Sequence, residues 1–312
     1  MSYTNQRVAY GNTLVELGRK DSRIVVLDAD LGGSTMGKLF ETEFPERHFE
    51  MGIAEADMTS VAAGLAQTGK IPFTNSFAVF AAGRAFDQIR QTIAIGRLNV
   101  KICGSSSGLS DFGDGATHQC VEDIAILRSI PNMTVICPAD ANETVEAVKA
   151  ITQLEGPCYI RLNRNDYPNV TSEGEKFQIG VPKMLKDGKD VVVFAMGYMV
   201  GTALKAAAEL EGKISVRVVN VSTIKPLHED TIKEMTRGCK AVVTVEEHNV
   251  KGGMGSAVAE ILSKERIPME FIGIQDTFGR SAHSYQELLE YYGLTADHVK
   301  DTIEAMYAME SK

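Results

Sequence analysis

Three stretches of the chain carry side chains that could do chemistry. In residues 49–59, Glu55 heads a helix-forming run, 56–67, that holds Thr59, Ser60, Ala62, Ala63 and Gly64. A helix so rich in small side chains packs closely against a neighbour. A carboxylate in its first turn is either a solvated charge favoured by the helix dipole or a buried group able to hold or pass a proton. The second stretch, 28–35, gathers Asp28, Asp30, two glycines, Ser34 and Thr35 directly after an apolar run. It reads either as an ordinary turn or as a ligand loop. The third, 104–119, is long and polar and ends in His118 just ahead of a helix. A loop of this length inside a compact domain is usually functional or disordered, and an imidazole there could move protons near neutral pH.

These stretches need elements to hold them. Val8, Leu14 and Leu17, with Ala9 and Val15 between, give residues 5–20 a helical spacing. The continuous apolar run 24–27 suits a strand of a parallel sheet buried on both faces. Loops at the carboxyl ends of such strands are where open α/β sheets hold ligands. Further strands read at 98–103, 133–138 and 158–162, with helices near 85–95, 121–128 and 143–154. This alternation predicts a mainly parallel α/β domain over 1–168. Residues 169–188, with Gly174, Gly180, Pro182, Gly188 and little periodicity, read as a linker. A second alternation over 189–312 predicts a smaller α/β domain. Its strands read at 191–194, 216–219, 241–245 and 269–272, its helices at 201–210, 229–237, 255–263 and 285–291.

Composition narrows the class. At 312 residues, 44% hydrophobic and 23% charged, the chain reads as a soluble globular protein with room for two cores. A net charge of −9 without a Lys/Arg block argues against nucleic acid as a partner. No apolar run reaches the length of a membrane span, and residues 1–7 have no signal-peptide hydrophobic segment, so a cytoplasmic protein is expected. Cys103, Cys120, Cys137, Cys158 and Cys239 are odd in number, widely spaced and without a CxxC pair. They read as buried small hydrophobes in a reducing compartment. Gly252-Gly253-Met254-Gly255 opens a helix after a strand and could hold an anion, but it lacks the GxGxxG spacing and reads rather as a tight strand-to-helix turn.

Several motifs, taken in order, carry a family likeness. They are Arg7-Val8-Ala9-Tyr10, Leu27-Asp28-Ala29-Asp30 with Ser34-Thr35, and Ile53-Ala54-Glu55-Ala56-Asp57-Met58. Then follow Ser76-Phe77-Ala78-Val79-Phe80, Arg84-Ala85-Phe86-Asp87-Gln88-Ile89-Arg90, and Gly113-Asp114-Gly115-Ala116-Thr117-His118-Gln119. Ile160-Arg161-Leu162-Asn163-Arg164 and Phe278-Gly279-Arg280-Ser281-Ala282 complete the set. From about Gln6 onward the chain resembles the pyrimidine-binding and C-terminal domains of transketolase. Gly113-Asp114-Gly115 also looks like the start of the diphosphate–metal motif of thiamine-dependent enzymes. The paired asparagine of that motif is missing, so no metal site is expected in this chain.

The resemblance implies a thiamine-diphosphate enzyme that moves a two-carbon ketol unit between ketose and aldose phosphates. Full-length members carry an N-terminal domain for the cofactor's diphosphate and its Mg²⁺ or Ca²⁺, and nothing here supplies one. The implied protein is therefore the C-terminal subunit of a split transketolase, active with a separate N-terminal subunit in an α2β2 heterotetramer. Carried over residue by residue, Glu55 bonds the aminopyrimidine ring and promotes loss of the thiazolium proton. Phe77 and Phe80 wall that ring, and Asp30 joins the cofactor residues. His118 lies near the reactive carbon, Asp114 reads a substrate hydroxyl, and Arg7, Ser34 and Arg164 bind the sugar phosphate. Arg161 is a nearby, structural alternative. Two departures stand out. Ser106 replaces a histidine that contacts substrate in many members, and the chain is one residue longer between Phe80 and Arg84 than in some relatives. The alternatives are the β subunit of a 2-oxo acid dehydrogenase, a deoxyxylulose-phosphate synthase, and a non-catalytic homologue. Two arginines for a phosphate argue against the first.

Overall fold

A computed structural model describes residues 4–309. Among the described residues there are twelve strands: β1 (Ile24–Asp28), β2 (His48–Glu50), β3 (Ile71–Phe77), β4 (Lys101–Ser105), β5 (Thr134–Ile136), β6 (Cys158–Arg161), β7 (Lys183–Lys186), β8 (Val191–Ala195), β9 (Val216–Asn220), β10 (Thr223–Lys225), β11 (Ala241–Asn249) and β12 (Met269–Ile274). One sheet has the order β10-β5-β6-β4-β3-β1-β2 and the other β12-β11-β8-β9-β7. All pairings are parallel except those of β10 with β5 and β7 with β9. The molecule thus has the two mainly parallel α/β sheets expected of the sequence.

Every residue of β1, β3, β4 and β6 is buried, because helices cover both faces of a parallel sheet. The helix Gln6–Lys20 begins where the Asn5 side chain accepts from the amides of Arg7 and Val8, and it packs on the helix Ala141–Gln153. That second helix is capped by Asp140, whose carboxylate accepts from the Glu143 amide. Caps of this kind satisfy amides that have no partner within the helix.

Two pieces differ from the sequence reading. Residues 169–188 are not wholly irregular, since β7 falls among them and forms the edge of the second sheet. It is a short strand with lysine at both ends, a composition common at sheet edges and silent in periodicity. In addition β10, from the second half of the chain, completes the first sheet: Thr223 pairs with Ile136 and Lys225 with Val135. The halves also share a core, in which Ile102, Cys137 and Tyr159 pack in one cluster with Val192, Phe194, Val219 and Ile224. No helix among the described residues is long and apolar enough to cross a membrane.

Candidate active site

The carboxyl ends of β1, β3, β4 and β6 are neighbours, and the chemistry-bearing side chains stand there. Glu55 opens the helix Glu55–Gln67 and is 1% exposed. Its Oε2 accepts from Arg84 Nη1 at 2.7 Å and its Oε1 from the Ser76 hydroxyl at 3.4 Å. Of the two sequence alternatives for this carboxylate, the buried one is realised.

The Arg84 guanidinium also lies 4.5 Å from the Phe80 ring centroid. Arg84 closes a π-helical turn, Val79–Arg84, and a π turn holds one more residue than an α turn. The turn leaves Arg84 facing both Phe80 and Glu55. The Phe77 and Phe80 rings lie 6.3 Å apart at 17°. His118 presents its edge to both, at 5.4 Å from Phe80 and 6.2 Å from Phe77. Phe77 is buried; Phe80 is partly open.

Next to this aromatic group is an arginine pair. Arg164 Nη1 donates to Asp111 Oδ2 at 2.6 Å, and its guanidinium stands 6.0 Å from the Phe77 ring. Arg7 Nη1 donates to the Ser34 carbonyl at 2.7 Å, and its Nε is buried without a partner. Burial lowers the Arg7 pKa, and the positive charge of Arg164 lowers it further. Burial likewise pushes the Asp111 carboxyl up, against the pull of Arg164. Two like charges held this close, with unspent hydrogen-bond capacity, suit a dianion between them.

The remaining candidates are distributed as follows. Asp114 is exposed, near enough to raise the Asp111 carboxyl. Asp30 is exposed at φ 57° with its amide on Glu50 Oε1 at 2.7 Å; among the described residues no hydrogen bond or ion pair joins its side chain to another candidate. Its neighbour Asp28 is internal: it accepts from Thr35 Oγ1 at 2.7 Å, bonds His48 Nε2 at 2.8 Å and so fixes the loop that carries Ser34. Arg161 is buried against Asp123, Cys120 O and Glu247 O. Ser106 directly follows β4 in the left-handed region, φ 51°, with its hydroxyl buried and unpartnered. Arg84 and Asp111 were missed as site residues. Arg84 lay inside a quoted motif, and its spacing of four from Phe80 in a helical segment was the available signal. Nothing in the sequence pairs Asp111 with Arg164.

The transketolase pyrimidine-binding domain model matches residues 3–170, and the transketolase C-terminal domain model matches residues 180–299. The chain belongs to the transketolase family. It is 46% identical over 306 residues to the inferred transketolase C-terminal section of Methanocaldococcus jannaschii, covering 96% of each chain. It is 42% identical over 295 residues to the 6-deoxy-6-sulfo-D-fructose transketolase subunit SqwH of a Clostridium species, covering 94% of this chain and 91% of that one. A solved structure described as a split gene transketolase, inactive beta4 tetramer, superposes with a TM-score of 0.89 at 47% identity, over 99% of this chain and 100% of that one. The transketolase family depends on thiamine diphosphate. The residues present fit the aminopyrimidine end of that cofactor: a buried carboxylate, the Ser76 hydroxyl beside it and a partly open aromatic face on Phe80.

Proposed function

We propose that this chain is the C-terminal subunit of a thiamine-diphosphate transketolase that moves a two-carbon ketol unit from a ketose to an aldose, each carrying a terminal anion. A separate N-terminal subunit supplies the diphosphate and metal half of each cofactor site, in an α2β2 assembly. The observation that carries this reading is the placement of Glu55 and the arginine pair on one set of strand ends, with the Phe77–Phe80–His118 cluster between them. The description of one relative as a split gene transketolase supports the division into two chains.

When bound, the cofactor supplies a stabilised carbanion equivalent, and the protein contributes position and proton control. Glu55 bonds the aminopyrimidine ring and holds the proton exchanged there; in a buried pocket such a bond is strong. Phe80 presents a face for the ring, a contact worth on the order of 1 kcal/mol beyond area burial, and Phe77 backs it. His118, edge-on to both rings, passes a proton to or from the substrate oxygen next to the reacting carbon. Asp114 reads a substrate hydroxyl. Arg7 and Arg164, with Ser34, hold the terminal anion and fix the distance from that anion to the reacting carbonyl, which sets the near-attack geometry.

The terminal anion could be a phosphate or, as the name of the Clostridium relative describes, a sulfonate. Two guanidinium groups favour the dianionic phosphate. The test mixes this chain with its N-terminal subunit, thiamine diphosphate and Mg²⁺. Xylulose 5-phosphate and ribose 5-phosphate are the first donor and acceptor, and 6-deoxy-6-sulfofructose is the second donor. Formation of sedoheptulose 7-phosphate from the first pair supports the proposal. Ketol transfer only from the sulfonate replaces the phosphate assignment, and transfer from neither removes the function.

A further inference from the structure

The second domain reaches into the substrate side of the site through one carboxylate. Glu247, near the end of β11, is 2% exposed yet fully engaged. Its Oε1 accepts from the Leu109 amide at 2.6 Å. Its Oε2 accepts from the Tyr285 hydroxyl at 2.7 Å and from Asn163 Nδ2 at 3.4 Å, while its carbonyl accepts from Arg161 Nη2 at 2.9 Å. The loop residue Gly108 sits at φ 61°, and a Cβ there would fall 2.5 Å from Glu247 Oε1. The loop backbone therefore approaches this carboxylate as closely as only glycine permits.

What Glu247 touches leads directly to the anion site. Asn163 precedes Arg164, and Arg164 pairs with Asp111, two residues after Leu109 in the loop 104–119. Asn163 Oδ1 accepts from the Asn165 amide at 2.8 Å, and Asn165 Nδ2 donates back to the loop at Ser110 O, 3.0 Å. Farther along, the second domain holds the same loop again. The Ala282 amide donates to Phe112 O at 2.8 Å, and Gln119 Nε2 donates to Arg280 O at 2.9 Å. A Cβ on Gly115, φ 74°, would meet Ser281 Oγ at 2.3 Å. One buried carboxylate thus ties the start of the loop to the strand end that carries Arg164, and a second set of contacts anchors the loop's far end.

We propose that Glu247 is a positioning residue for the substrate loop, and that through it the second domain sets the affinity for the anionic end of the sugar. Burying a carboxylate is costly unless every acceptor position is used. At Glu247 those positions are used to lock two segments of the first domain at a fixed separation. Arg164 and Asp111 then meet the substrate in place, without an ordering step at binding. Glu55 and Phe80 come from other strand ends, and the loop residue that stands against Phe80, His118, lies at the end held by the second set of contacts. The proposal rests on the transketolase reading.

The experiment compares wild type with Glu247→Ala, Glu247→Gln and Tyr285→Phe in the enzyme assembled with its N-terminal subunit. Readouts are cofactor affinity by titration, KM and kcat for the phosphorylated donor, and amide exchange of residues 108–119 in the free chain. Glu247→Ala should raise KM roughly tenfold or more, as expected for a displaced anchor, and speed exchange at Leu109, with cofactor affinity within about twofold of wild type. Glu247→Gln, which keeps an acceptor for the Leu109 amide, and Tyr285→Phe should lie between; they also serve if the alanine variant fails to fold. An unchanged KM in all three, or cofactor affinity falling in step with KM, overturns the positioning role. No ketol transfer by wild type overturns the functional reading instead, so the two failures are distinguishable.

Discussion

Arg84 Nη1 stands 2.7 Å from Glu55 Oε2 while its guanidinium lies 4.5 Å from the Phe80 ring centroid. A single side chain therefore engages both the carboxylate and the aromatic face assigned to the cofactor ring. The bond is made from a half-exposed arginine to a buried acid, so removing Arg84 leaves Glu55 with the long Ser76 contact alone. Arg84→Ala should destabilise the free chain by about 1–2 kcal/mol, a charge-assisted bond reduced by solvent screening. In a cycle with Glu55→Gln the two losses should be non-additive by a similar amount. Denaturant unfolding of the four proteins checks this, and additive losses would mean that the pair carries no coupling.

Phe77 and Phe80 should separate by what they cost. Phe77 is 5% exposed and part of the packed interior, so Phe77→Ala should cost about 3 kcal/mol or more of stability. Phe80 is partly open, so Phe80→Ala should cost little stability and weaken cofactor binding about five- to tenfold, the value of a stacking contact. Unfolding curves and cofactor titration of the assembled enzyme test the split. The reverse pattern would exchange the roles of the two rings.

Buried groups in β11 should make stability depend on pH in two opposing ways. Burial raises the Glu246 carboxyl from 4.5 to about 7, although the Gly255 and Met254 amides pull it down. A raised acid binds more protons folded than unfolded, so its stabilisation is full below pH 4.5 and is lost as pH rises to about 7. Burial lowers His248 from 6.5 to about 4. A depressed base binds fewer protons folded, so its contribution is full above pH 6.5 and is lost as pH falls towards 4. The windows overlap and largely offset. Glu246→Gln should make stability climb more steeply from pH 4 to 6.5, and His248→Gln should make it fall between pH 4.5 and 7. Urea unfolding across that range checks both, and curves parallel to wild type would contradict the assignment.

A glycine with a fixed neighbour gives a further test. A Cβ on Gly104 in β4 would lie 2.0 Å from Tyr159 Oη, the hydroxyl that donates to Asp123 Oδ2 at 2.7 Å. Gly104→Ala should therefore destabilise by about 2–3 kcal/mol through overpacking. Tyr159→Phe in the same background should recover part of the loss, as seen by thermal unfolding. No recovery would place the strain elsewhere.

Much of the fold was legible because burial on both faces writes itself into sequence as continuous apolar runs. Residues 24–27 and 158–162 were readable in this way. β3 is central, but Pro72, Thr74, Asn75 and Ser76 break its pattern; buried Asn75 accepts from the Tyr10 hydroxyl at 2.6 Å. β7 and β10 are edge strands of four and three residues, too short to show a period. The candidate site divides in the same way. Glu55, Phe80, His118 and Arg164 lay in motifs and are gathered by the strand order. The Arg84–Glu55 and Arg164–Asp111 pairs depend on a π turn and on a loop path; the spacing of Arg84 from Phe80 hints at the first, and nothing local marks the second.

The central claim is that Glu55 exchanges a proton with a thiamine cofactor shared with a second chain. The most direct measurement is ketol transfer by the assembled enzyme with Glu55→Gln, a substitution that keeps shape and removes the charge. Turnover should fall about 10³-fold, the scale of a lost proton-transfer group, with the assembly intact by sedimentation. Turnover near that of wild type would contradict the assignment of Glu55.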